Sequence, residues 1–243
     1  MTEPTSRPAA ALILGVFVAI GLALAGFFVA RAVESAKRFE RFVTVKGLSE
    51  REVPADLAIW PVRFNVAAND LKSLQEQITS SRGTVLQFLM TAGFKEEEIS
   101  TPPPQITDAE MSNRSESEDK KPPKFRYSAN LTTLLRSAKV DEVRKAMEKS
   151  DQLVQSGVAL AGGDYNSRVE FIFMGINAIK PAMIEEATMN ARKAAEQFAK
   201  DSKSNVGTIR RATQGGIEVN DRDSSSPHRK IIRIVTTVDY FLE

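Results

Sequence analysis

From Ala9 to Ala30 the chain carries no charged or polar side chain, and this run constrains everything after it. At about 1.5 Å per residue it makes a helix of about 33 Å, long enough to cross a hydrocarbon core of about 30 Å. A cleaved secretory signal is the competing reading, since Arg7 gives a basic start and Ala30–Ala32 or Val33–Ala36 loosely resembles a small-residue cleavage site. The apolar part of such a signal spans roughly 7 to 15 residues, and Arg31 sits inside the first candidate site, so the sequence predicts a retained anchor. Gly15, Ala19, Ala23, Gly26 and Ala30 fall on one helix face, where small residues let membrane helices approach closely; Ala and Gly are also simply frequent in such helices. Arg31, Lys37, Arg38 and Arg41 outnumber Arg7 across the run, and the positive-inside count assigns the large domain to the cytoplasm. Long domains cross membranes regardless of such charges.

Beyond a short lead (1–8), the anchor (9–30) and a polar helical stem (31–41), about 200 residues remain, enough for one large domain or two small ones. The absence of Cys excludes disulfides, thiol nucleophiles, Cys-zinc sites and iron–sulfur clusters. Thirty-three basic and 31 acidic residues give a net charge of +2, without the basic footprint of a nucleic-acid binder.

Hydrophobic periodicity divides residues 42–243 into alternating strands and amphipathic helices. Phe42–Lys46 reads as a strand broken by Gly47. Ala55–Ala68 reads as a longer one with Ala58, Trp60, Val62, Phe64, Val66 and Ala68 on one face. Pro61 on its other face predicts an edge or bulge. Leu71, Leu74, Ile78, Val85 and Leu89 form a helical stripe, with Asn69 or Asp70 to cap its start and Gly93 its end. Ile99–Thr107 and Phe125–Leu135 follow as strands around a polar loop, Asp108–Pro123. Val140, Val143 and Met147 mark a short helix, Leu153–Leu160 a weak strand, Gly162 and Gly163 a turn, and Arg168–Gly175 a strand. Pro181 marks the first turn of a helix reaching Lys200; Val206–Ala212 and Lys230–Leu242 are strands separated by a loop, Gln214–Arg229. The order strand, helix, strand, strand occurs twice, predicting an α+β pseudo-repeat with halves 42–160 and 161–243. These form either two sheet-plus-helix units or one merged antiparallel sheet with helices packed on it.

Val43, Val45, Gly47, Ser49, Pro54, Asp56 and Ala58, then Ala187, Ala191, Arg192, Ala195, Glu196, Phe198, Ala199 and Gly207, occur in the order found in the SIMPL-domain family, which the chain resembles over roughly Phe42–Leu242. That family includes periplasmic immunogenic and oxidative-stress defence proteins of Gram-negative bacteria. Asp201, Ser202 and Ser204 replace the apolar and Gly residues usual after its late helix. The resemblance implies an α+β domain in the periplasm, assembly into large rings or cages, an association with envelope or oxidative stress, and no known catalytic residues.

The residues themselves offer little chemistry. His228 is the sole histidine and stands in a polar loop, so it reads as solvated rather than as a base or ligand. Gly162-Gly163 lacks a phosphate-loop fingerprint, and Asp56 with Asp164 is a weak carboxylate pair. Glu96, Glu97 and Glu98 read as a solvated run, Met183 and Met189 as packing rather than oxidant scavenging, Trp60 as a core anchor, and Ala187, Ala191, Ala194 and Ala195 as a close-packing stripe. No catalytic, metal or cofactor-binding residue is expected. The sequence points to a non-enzymatic, membrane-anchored homo-oligomer whose partners are the bilayer and further copies of itself. An envelope-stress module that binds a ligand, and a carboxylate-dependent membrane hydrolase, are the alternatives.

Overall fold

The computed structural model describes residues 8–38, 41–112, 124–162 and 168–243. Residues 1–7, most of the expected loop Asp108–Pro123, and Gly163 and Asp164 lie outside the described residues, so the Asp56–Asp164 pair does too. Helix α1 (Pro8–Arg38) joins the expected anchor and stem into one element. Its segment Leu12–Ala32 is long and apolar enough to cross a membrane, and none of it is buried.

The remainder is α+β with antiparallel pairing, as expected. Its contacts divide into two compact units that are not sequential halves. The first comprises residues 1–50, 181–217 and 233–243, and the second 51–180 and 218–232.

The second unit is built on β2 (Leu57–Ala68) and β5 (Tyr127–Ser137), paired from Ala58 opposite Ser137 to Ala68 opposite Tyr127. The short strands β3 (Ile99–Ser100) and β4 (Gln105–Asp108), parted by Pro102–Pro104, both add to β5. On the other side of β2 lie β6 (Ala159–Leu160) and β7 (Glu170–Ile172). Pro61 is therefore inside the sheet and not on an edge strand. Arg63 offers its carbonyl to Ala161 on the β6 side, and alternation turns Pro61 the same way, at a position between the β7 partner of Ile59 and the β6 partner of Phe64 where no described strand pairs with it. No ladder N–H is required there.

Helix α2 (Leu71–Thr91) starts at Asp70, whose carboxylate accepts from the Ser73 N–H at 2.9 Å, and its chain leaves through Gly93 at φ +95°. It buries Leu74, Ile78, Val85 and Leu89 against Trp60, Val62, Phe64, Leu131 and Leu135. The one-turn helix α3 (Ala109–Ser112) follows β4, and helices α4 (Val140–Glu148) and α5 (Asp151–Gln155) complete this core with Val143, Ala146 and Leu153. The expected strand at Leu153–Leu160 is strand only at Ala159–Leu160: Leu153–Gln155 belong to α5, where Leu153 follows Val143 and Ala146 into the apolar layer, and Gly157 at φ +86° turns the chain into the short β6.

A second sheet has the order β1 (Phe42–Pro54), β9 (Arg229–Leu242), β8 (Val206–Asp221). Strand β1 continues through Gly47 rather than stopping there. Helix α6 (Ile176–Asp201) begins five residues before Pro181, so this proline is inside the helix, not in its first turn. The division between the units falls at Pro181. In the first unit, Ala187, Ala191, Ala195 and Ala199 face the sheet, with Val43, Val45, Val238 and Tyr240 across from Ala191 and Ala195. Ala194 is exposed; the four-residue spacing passes through Ala199 instead.

Strand β8 extends nine residues beyond Ala212, so the expected loop Gln214–Arg229 is strand as far as Asp221, and the hairpin turn is Arg222–His228. The polar and glycine-rich sequence reads as loop because none of it is buried, but the ladder to β9 needs only backbone groups. The strand-helix-strand-strand order does recur, as β2-α2-β4-β5 and β7-α6-β8-β9, with different pairing: β2 neighbours β5, whereas β7 pairs with β2.

Candidate functional site

The densest set of family-motif residues is the crossing of β1 and α6 in the first unit. A Cβ placed on Gly47 would lie 1.8 Å from the Ala187 carbonyl oxygen and 2.4 Å from the Ala191 nitrogen, so strand and helix backbones meet with nothing between them. Alanine at 187, 191 and 195 keeps the helix side of this contact equally bare. Beside it the buried Ser49 donates its hydroxyl to Glu186 at 2.8 Å, and Asn190 donates its amide to the Leu48 carbonyl at 2.8 Å, locking the register of helix on strand. Gly207 serves a second close approach, where a Cβ would meet the Glu243 side chain at 2.9 Å and the Phe241 carbonyl at 3.2 Å.

In the second unit Asp56 holds the turn ahead of α6. Its two carboxylate oxygens accept from the Met174 and Gly175 N–H groups at 2.8 and 3.1 Å. Pro54 ends β1, the Ala55 N–H then donates to the His228 carbonyl at 2.8 Å, and Ala58 is fully buried in the core. Each of these motif positions has a structural task.

Three polar clusters in the same unit were not apparent from the sequence. In the β8–β9 turn, Asp223 accepts from the Ser225 hydroxyl and N–H, the Ser226 hydroxyl and N–H, and the Arg222 guanidinium, which also reaches Glu52 at 3.1 Å. The hydroxyls of Ser225 and Ser226, then Arg222, hold its carboxyl well below the ordinary range. An Asp followed by three serines is the signal that could have found this turn. His228 is half-buried, not solvated: its ring meets Phe171 edge to face with centroids 6.1 Å apart. Burial, and then the charges of Arg144 and Arg229, push its imidazole below the usual value and keep it neutral near pH 7. Glu98 leaves the solvated run to accept the hydroxyl of buried Ser137 and the Lys95 N–H. Burial works to raise its carboxyl, but the Lys95 N–H, the Ser137 hydroxyl and the ammonium groups of Lys139 and Lys95 bring it below the ordinary value.

None of these clusters has the layout of a nucleophile with its base. Among the described residues no side-chain hydrogen bond joins His228 to a serine or a carboxylate, and no group of three or more His, Asp or Glu is placed to hold a metal ion. Met183 is fully buried and Met189 is exposed. On α1, a Cβ at Gly15 or Gly26 would meet nothing within 4 Å, so no described segment packs on the face shared by Gly15, Ala19, Ala23, Gly26 and Ala30.

Helix-covered antiparallel sheets behind a single apolar helix define this chain as an α+β domain whose recurring motif residues fix close backbone contacts. It belongs to the SIMPL family: residues 43–231 match the family described as SIMPL, a protein of unknown function (DUF541). A search of curated proteins found no matching relative.

Proposed function

We propose that the protein is a non-enzymatic assembly protein of the bacterial cell envelope, held in the inner membrane by α1 with its bulk in the periplasm, in which many copies join into a ring, cage or scaffold. The observation that carries this reading is β8. Sixteen residues long, it forms an edge of its sheet and has not one fully buried residue; only Val206, at its start, packs against a core cluster. Long exposed edges template pairing with another chain, and proteins that do not use them shorten, cover or bulge them. A second copy would satisfy the free backbone groups of β8 and cover Ile209 and Val219, which are exposed on it. An anchor on every copy concentrates subunits on one surface, and closed symmetry favours rings.

The test is particle mass by light scattering. The detergent-extracted protein is expected to be many times heavier than the 26.7 kDa chain, and to remain much heavier after deletion of residues 1–41. Lysines at Ile209 and Val219 should dissociate it while leaving the fold intact, because both side chains are exposed. A monodisperse truncated monomer, at concentrations where the full chain is assembled, would refute assembly through the soluble domain.

A second reading, a ligand-binding module acting as a monomer, draws on an open groove of about 580 Å³ between α2, α4 and α5, floored by Phe88 and Leu153 and rimmed by Lys145 and Lys149. A monomeric full-length particle would favour it.

A further inference from the structure

The first unit gathers its chain ends at one place. The Leu242 N–H donates to the Arg41 carbonyl at 2.9 Å, Asn205 and Glu243 exchange backbone bonds at 2.8 and 2.9 Å, and the Ser204 N–H donates to the Ala199 carbonyl at 2.9 Å. The start of β1, the end of β9, the start of β8 and the C-terminus of α6 therefore form one end of the unit. This is also the end at which the chain arrives from α1.

That end is exposed and carries Arg41, Lys200 and Lys203, with Phe42 beside them. Slightly further along β8, the Arg210 guanidinium lies over the Phe42 ring, 4.1 Å from its centroid. Among the described residues none of these four cations forms a salt bridge. The described carboxylates nearby have contacts of their own: Asp201 accepts from the Gln197 amide at 3.0 Å, Asp239 from the Thr44 hydroxyl at 2.7 Å, and Glu243 stands against Gly207. Unpaired cations around an exposed aromatic ring are the side-chain set that settles at a lipid headgroup layer.

The tether keeps that end close to the bilayer. Arg41 follows Ala32, the end of the apolar segment, by nine residues. With about 1.5 Å per helical residue as far as Arg38 and at most about 3.5 Å per residue beyond, Arg41 lies within about 20 Å of the hydrocarbon edge. The headgroup layer occupies the first ~6 Å of that distance.

We propose that the end of the first unit carrying Arg41, Phe42, Lys200, Lys203 and Arg210 docks on anionic lipid headgroups of the bilayer that α1 spans, so that the domain is held at the surface rather than swinging on its stem. This rests on the anchor reading above. Each cation near an anionic surface is worth roughly five-fold in the ratio of docked to undocked states, so reversing three lowers it at least ~100-fold.

The chain has no Cys, so a single introduced thiol can be labelled without background. The full-length protein, in nanodiscs of phosphatidylcholine with or without phosphatidylglycerol and a headgroup-nitroxide lipid, carries a fluorophore at Asn205→Cys or, as the distal control, at Gly216→Cys, about 36 Å further along β8. Expected is strong quenching at 205 and weak quenching at 216, with the 205 signal dependent on phosphatidylglycerol, lifted by 1 M salt, and lost in the combined variant Arg41→Glu, Lys200→Glu, Arg210→Glu. Equal quenching at 205 with and without phosphatidylglycerol, or unchanged quenching in the triple variant, overturns the docking proposal alone. A chain that does not co-purify with the nanodisc overturns the anchor reading, and the docking proposal with it.

Discussion

Replacing Gly47 by Ala adds one methyl group where the fold has no room for it. The new Cβ would sit 1.8 Å from the Ala187 oxygen, 2.4 Å from the Ala191 nitrogen and 2.9 Å from the Ala187 carbonyl carbon, all backbone atoms that no rotamer change can withdraw. Ordinary van der Waals contact begins near 3.4 Å, so strand and helix must separate by about 1.6 Å at the crossing. A gap of even 0.5–1 Å forfeits about a quarter to a half of the dispersion at each contact, and this one opens the layer in which Val43, Val45, Val238 and Tyr240 pack on Ala191 and Ala195. Overpacking typically costs about 1–3 kcal/mol; with a backbone obstacle the expectation here is about 3 kcal/mol or more, a large share of a domain's stability. Gly83 is the matched control: it is exposed inside α2 with nothing within 4 Å of a built Cβ, so Gly83→Ala should stabilise by about 0.5–1 kcal/mol. Urea denaturation of the full chain in detergent, followed by circular dichroism, gives both values, and amide exchange should report the Gly47→Ala damage in β1 and in α6 around 187–195. A Gly47→Ala protein within 1 kcal/mol of the parent would refute the backbone-to-backbone crossing.

Asp56→Ala leaves the Met174 and Gly175 N–H groups without their acceptor and should destabilise by about 1 kcal/mol, with Asp56→Asn intermediate because it retains one acceptor oxygen; thermal melts of the three proteins rank them. His228 has a folded-state value below its unfolded one, so its contribution is present above the unfolded value near 6.5 and is lost as pH falls through the lowered folded value. Stability should therefore rise more steeply with pH just below about 6.5 in the parent than in His228→Gln, and identical slopes would show that the histidine makes no such contribution. Pro181→Ala restores an N–H that can bond to the Asn177 carbonyl inside α6, and should raise the melting temperature.

What the sequence made legible follows from which patterns have a single physical cause. The alternation in Ala58–Ala68 and the stripe Leu74, Ile78, Val85 and Leu89 mark buried faces, and those residues are core. Asp70 and Gly93 cap α2 because an N-terminal acceptor and a positive-φ exit have few other uses. The misread elements are those where burial and backbone pairing part company. Strand β8 pairs without burying any side chain, so hydrophobic periodicity had nothing to register beyond Ala212. Gly47 reads as a break because glycine usually ends a strand pattern, while its actual role, admitting a helix backbone, depends on Ala187 and Ala191, some 140 residues away. Pro61 reads as an edge residue; that it stands between the positions paired with two short strands is visible only once β6 and β7 are placed. The motif residues are recognisable as a set, but nothing local ties Asp56 to the turn before α6 or His228 to Phe171.

Native mass spectrometry of the detergent-extracted particle tests most directly whether copies of a membrane-held chain assemble, because one spectrum gives both the particle mass and, after dissociation, the mass of each subunit. A particle of many copies, whose released subunits retain residues 9–30, is expected. A single copy per particle would contradict the assembly, and a mature start near Val33 or Lys37 would contradict the anchor.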